Sequence, residues 1–115
     1  VKIPFDLEAS LESLDSFWRD GKIYSYPQNR TYTGKQSHFN DRPSNLWGVG
    51  MMVAFYAKYG QSEMANKVIE IINQEYGPIP DLRMWPKNFS SDEKFYARYA
   101  AHVLLGLSYR DFYKN

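Results

Sequence analysis

The chain contains no cysteine. Disulfides, thiolate zinc ligands and a thiol nucleophile are therefore excluded, and with them a Cys-based redox or protease role. Long apolar runs are missing too: no stretch approaches the length of a membrane span, and no basic-then-apolar leader stands at the start. The chain opens at Val1 and not at Met, which leaves a removed residue or leader open, and the expected location is cytoplasmic. Histidine is scarce, with two in 115 residues. Neither these nor the acids fall at metalloenzyme spacing, so no metal and no cofactor is expected. Gly34-Lys35 lacks both the earlier Gly and the following Ser or Thr of a phosphate-binding loop. Gly48-x-Gly50 lacks the third Gly of a dinucleotide site and falls inside a helical stretch. No Ser has a nucleophile-elbow context.

Excess charge of one sign is also missing. A net charge of +1 argues against a strong phosphate-driven grip on nucleic acid. The charge is unevenly placed, however: Asp6, Glu8, Glu12, Asp15 and Asp20 against Arg19 give −4, whereas Lys22, Arg30, Lys35 and Arg42 against Asp41 give +3. With 43% apolar and 23% charged residues the composition is that of a folded protein, and 115 residues fit a single domain over 1–115.

What the chain has in surplus is aromatic: ten Tyr, seven Phe and three Trp, 17% of the residues. That exceeds what one small core needs, which leaves two readings: half-buried packing, which Tyr tolerates, or a binding surface, which flat rigid rings suit. The triplets Asn29-Arg30-Thr31 and Asn88-Phe89-Ser90 match the glycosylation pattern, a match short enough to arise by chance.

Hydrophobic spacing predicts a mainly α fold, a small bundle of about four helices with a long irregular or short β-hairpin insert between the first two. Leu7, Leu11, Leu14, Phe17 and Trp18 form one stripe, so helix one is expected from Leu7 to Asp20, capped by Asp6 and left through Gly21. Glu8, Glu12, Ser16 and Arg19 fall on its outer face. From Lys22 to Thr33 a hairpin around Pro27-Gln28-Asn29 is the expectation, with Ile23 to Tyr26 facing Arg30 to Thr33. Helix two follows Asp41 or Ser44 and is apolar nearly all round from Leu46 to Tyr59, so neighbours should enclose it on several sides. Gly50, Ala54 and Ala57 share one face, where another helix can approach closely. Gly60 separates it from a one-sided helix capped by Ser62, with Met64, Ala65, Val68, Ile69, Ile72 and Tyr76 inward. A proline-rich strap follows, pinned by Ile79, Leu82, Met84 and Trp85. Helix four begins at Ser90 or Ser91, with Ser90 and Glu93 as a capping box, and buries Tyr96, Tyr99, Ala100, Val103, Leu104 and Leu107. Gly106 weakens its middle, and Tyr109 to Asn115 frays.

The two helices around Gly60 resemble one tetratricopeptide-type hairpin: an aromatic near the end of the first helix, the turn Gly60, and Ala65 five residues on. The repeat is not renewed at the expected period, so the resemblance implies a helix hairpin and not membership of that family.

A connection of about twenty residues inside a small domain is more often functional than idle. The contact residues expected there are Tyr24, Tyr26, Arg30, Tyr32, Lys35, His38, Phe39 and Arg42, a Tyr and Arg mixture that protein interfaces favour. The acidic face of helix one is a second candidate surface. Together they point to a non-catalytic module that binds a protein partner, such as an adaptor, an inhibitor or a toxin-neutralising immunity protein. Two alternatives remain. Residues 22–42 could serve a metal-independent nuclease or nucleic-acid-binding protein, with His38 and His102 as base and acid and Lys35 or Arg42 on phosphate. A homo-oligomeric structural module would place surplus aromatics such as Trp85 and Tyr109 at a self-interface.

Overall fold

The computed structural model describes residues 5–79, 81–89 and 97–113. It is mainly helical, and its backbone contacts divide between Arg42 and Pro43 into two units. The calls on Ser90, Ser91, Glu93, Tyr96, Lys114 and Asn115 lie outside the described residues.

In the first unit, the Asp6 carboxylate accepts the Ala9 N–H at 3.0 Å and caps α1, Leu7–Asp15. An acid there satisfies an open helix donor and suits the positive end of the dipole. The helix stops short of the expected Asp20, and Asp20-Gly21 is the reason. Both residues take positive φ, +53° and +74°. A two-residue hairpin turn requires that conformation, and Asp-Gly supplies it readily. Antiparallel strands β1 (Trp18–Arg19) and β2 (Lys22–Ile23) flank the turn, with Trp18 opposite Ile23 and Arg19 opposite Lys22. Gly21 is thus a hairpin residue and not a helix exit, and Arg19 does not sit on a helix face. The hairpin expected around Pro27 is absent. Beyond Ile23 the chain is irregular until 3₁₀ turns over Gly34–Asp41, because its backbone donors go elsewhere: Ser25 N–H to the Arg42 carbonyl and Gln28 N–H to the Ser16 carbonyl, both at 2.8 Å.

The second unit holds α2 (Leu46–Lys58), α3 (Ser62–Ile71), a π turn over Ile72–Tyr76, and α4 (Ala97–Phe112). Asn45, not Asp41 or Ser44, caps α2, its side chain accepting the Gly48 N–H at 2.9 Å. Ser44 is buried instead, and its carbonyl accepts the Tyr76 hydroxyl. Gly60, at φ +78°, ends the α2 exit as expected. Ser62 is the first residue of α3 and not its cap, a position that Gln61 holds without a side-chain bond. Ala65, Val68, Ile72 and Tyr76 make the buried stripe of α3 and its extension. The strap is pinned as anticipated: Met84 and Trp85 are buried, the Leu46 N–H donates to Met84 O at 2.8 Å, and the Lys87 N–H to Glu75 O at 2.9 Å.

α4 packs along α2 where side chains are smallest. A Cβ at Gly50 would stand 3.0 Å from the Val103 nitrogen, and one at Gly106 would stand 2.9 Å from Val53 Cβ and 3.1 Å from the Gly50 carbonyl. Gly106 is therefore a contact residue, and the propensity it costs α4 is offset by close approach. These pairings advance together in number, so α2 and α4 run in the same sense. Further expectations for this unit are corrected. The apolar rod α2 is covered on most sides but not all: Trp47 and Met51 are 47% and 43% exposed. Leu104, expected in the buried stripe of α4, is 54% exposed, because Val103 and Gly106 point to α2 and Leu104 falls on the far side. Tyr109 to Phe112, expected to fray, are helical. No helix among the described residues is long and apolar enough to cross a membrane.

Candidate recognition loop

Apart from the 3₁₀ turns over Gly34–Asp41, the chain from Tyr24 to Arg42 forms no helix or strand, so its shape depends largely on side chains. Three rings gather: Tyr26 to Tyr32 at 4.9 Å, Tyr26 to Phe39 at 5.4 Å and Tyr32 to Phe39 at 5.4 Å between centroids, the Tyr32 contacts being edge-to-face. Such pairs each add about 1 kcal/mol beyond their area burial. All three rings stay half-exposed. The His38 ring extends the group, 4.3 Å from Phe39, and its Nδ1 lies 3.0 Å from the Lys35 carbonyl. That carbonyl can only accept, so in the neutral ring this contact requires the proton on Nδ1 and leaves Nε2 as the acceptor.

Two residues absent from the sequence expectation hold the loop in place. Asn40 bonds the Tyr32 backbone twice, its Oδ1 accepting the N–H at 2.8 Å and its Nδ2 donating to the carbonyl at 2.9 Å. Arg19, delivered by β1, donates from Nη1 to the Asn40 carbonyl at 2.7 Å and from Nη2 to the Tyr26 carbonyl at 3.1 Å. Its guanidinium also lies 4.2 Å from the Tyr24 ring centroid. A planar fork of donors joins two carbonyls in a way that a point-charge ammonium does not. The Asp-Gly turn was the signal that could have found Arg19, since a hairpin there turns the residue before it back over the loop.

Of the expected contact residues, Tyr26, Tyr32, Phe39 and His38 come together, and the Arg30 guanidinium stands 5.2 Å from the Tyr32 ring. Tyr24 packs under Arg19, and Arg42 closes the loop through its carbonyl. Lys35, Arg30 and His38 are exposed, as is Lys22 on β2. Among the described residues no salt bridge engages Lys22, Arg30 or Lys35. His102 belongs to the other unit, half-buried on α4 with its ring 6.2 Å from that of Trp47. Among the described residues no three His, Asp or Glu side chains come close enough to share a metal ion. The loop therefore offers flat apolar faces beside exposed cations that form no salt bridge among the described residues, on a backbone held by the Arg19 and Asn40 hydrogen bonds. In comparisons with known proteins, no family model, curated protein or solved structure matches the chain.

Proposed function

We propose that this chain is a non-catalytic protein-recognition module whose contact surface is the loop from Lys22 to Arg42. The observation that carries this reading is the half-exposed cluster of Tyr26, Tyr32 and Phe39, fixed from beneath by Arg19 and Asn40. Binding by a floppy loop loses affinity to the entropy of ordering, and a loop already held in one conformation avoids that cost. Tyr and Arg are also the side chains that most often dominate binding energy at interfaces. Arg30 and Lys35, exposed and without a salt bridge among the described residues, favour a partner surface with acidic groups.

The test uses the full chain as bait in affinity capture from its native cell, beside the double variant Tyr32→Ala with Arg30→Ala. The wild-type chain is expected to retain a protein that the variant holds at least ~10-fold less tightly, about 1.4 kcal/mol, with helical circular dichroism unchanged. Equal retention by the two baits refutes this surface. The same cations around stackable rings also suit a single strand of nucleic acid, a reading that predicts salt-sensitive binding of an oligonucleotide lost in Lys35→Ala.

A further inference from the structure

The two faces of α4 differ in what covers them. Val103 and Gly106 are buried toward α2, while Ala97, Ala101, Leu104, Leu105, Ser108 and Phe112 are all exposed. Steps of four, three, one, three and four residues put these six in one row on the side away from α2. The row is apolar apart from one hydroxyl, and Leu104, Leu105 and Phe112 are 54%, 43% and 78% exposed. We propose that this row is a self-pairing seam, occupied by α4 of a second copy of the chain, antiparallel and related by a two-fold axis that passes between Leu104 and Leu105.

Size and charge both select this arrangement. A two-fold contact presents one patch to itself, so the patch must complement its own reversed order. Reversal sets Phe112 over Ala97 of the other copy, Ser108 over Ala101, and Leu104 level with Leu105. The bulkiest side chain meets the smallest, and the two leucines fill the centre. The exposed Arg98 and Asp111 flank the row near its ends. The two-fold holds the two Arg98 residues about 20 Å apart along the axis at 1.5 Å per residue, and sets each at the level of the other copy's Asp111, which Arg110 of its own helix already pairs at 3.1 Å, so the antiparallel order keeps the two Arg98 charges apart. A parallel pair would instead stack Phe112 on Phe112 and Arg98 beside Arg98. A helix about 24 Å long covers less than the roughly 800 Å² per partner of a standard stable interface, so the pair belongs in the weak range and dissociates on dilution. This seam lies in the second unit and is independent of the recognition loop.

The absence of cysteine makes the test unambiguous. At an interaxial distance of about 9 Å the two Leu105 Cα atoms come to roughly 6 Å, within disulfide reach, whereas the two Ala97 residues stand roughly 22 Å apart. Under mild oxidation Leu105→Cys is expected to form a covalent dimer and Ala97→Cys to form none. Light scattering of the full chain at ~100 µM is expected to give twice the chain mass, and Leu105→Glu, which sets like charges face to face at an exposed site, to return it to the single-chain mass with unchanged circular dichroism. A wild-type chain that stays monomeric, cross-linking as ready at residue 97 as at residue 105, or a Leu105→Glu chain that remains dimeric would each overturn the seam. Restoration of pairing when Ala97→Phe, which sets two Phe rings against each other and breaks it, is combined with Phe112→Ala would support it.

Discussion

At the residue scale, Arg19 and Tyr76 are polar groups on which much apolar packing depends. Arg19 joins β1 to the Tyr26 and Asn40 carbonyls. Hydrogen bonds from a charged donor are worth roughly 1.5 to 3 kcal/mol each when the donor is removed from buried acceptors. With a half-exposed side chain, Arg19→Ala is expected to cost about 2 kcal/mol in urea unfolding and to broaden the near-ultraviolet tyrosine bands, while Arg19→Lys recovers only part of either. Tyr76 is buried at 2% exposure, with its hydroxyl on the Ser44 carbonyl. Burial, reinforced by the Glu75 charge, pushes its phenol well above the usual tyrosine value of 10.0. The folded state therefore keeps the proton that the unfolded state gives up. Its contribution is complete below pH ~10 and falls as pH rises beyond that, by at most ~1.4 kcal/mol per pH unit from this group. Tyr76→Phe should remove that alkaline slope and leave the Ser44 carbonyl unpaired, costing about 1 to 2 kcal/mol at neutral pH. Chemical denaturation between pH 7 and 11 measures both effects.

At the scale of elements, legibility followed the length of the pattern. The α3 stripe spans three turns, and each apolar position adds to the same period, so Ala65, Val68, Ile72 and Tyr76 were placed correctly. The Asp20-Gly21 hairpin has two residues per strand and no alternation to detect. A helical stripe running through Phe17 and Trp18 therefore masked the local turn chemistry. The fate of Leu104 was open in the same way, because Val103, Leu104 and Leu107 all fit an apolar face and only the glycines decide which face meets α2. Gly106 shows why propensity misleads here. Gly106→Ala gains about 1 kcal/mol of helix propensity, but its Cβ would press into Val53 and the Gly50 carbonyl, and overpacking of this kind costs typically 1 to 3 kcal/mol. The expected outcome is a net loss of about 1 kcal/mol, read as a lower urea midpoint with an unchanged slope. An equal or raised midpoint would mean that α4 can shift without penalty. Of the candidate loop, the sequence exposed the ingredients but not the fastening, since a side chain bonding a carbonyl seven or twenty-one residues away leaves no periodic trace.

At the scale of the whole molecule, core and candidate site are segregated along the chain. Every buried apolar residue described except Ile23 lies at or beyond Leu46, whereas the cationic ring cluster ends at Arg42. A chain comprising residues 43–115 is therefore expected to keep its helical circular dichroism and unfold cooperatively, because the glycine-mediated α2 and α4 contact, the α3 stripe and the Met84-Trp85 pin are all retained. Loss of helicity or of a cooperative transition in that fragment would show that the second unit is not self-sufficient.

The two hydrogen bonds between the Asn40 side chain and the Tyr32 backbone have a further bearing on how anything can dock. One carboxamide fills the place that a neighbouring β-chain would take, using up both the hydrogen and the oxygen that Tyr32 could offer along its edge. Strand addition, one way for a foreign peptide to pair with exposed backbone, finds that rung already taken. Under the proposed reading, a partner would have to meet this loop through its rings and cations and not through that backbone edge.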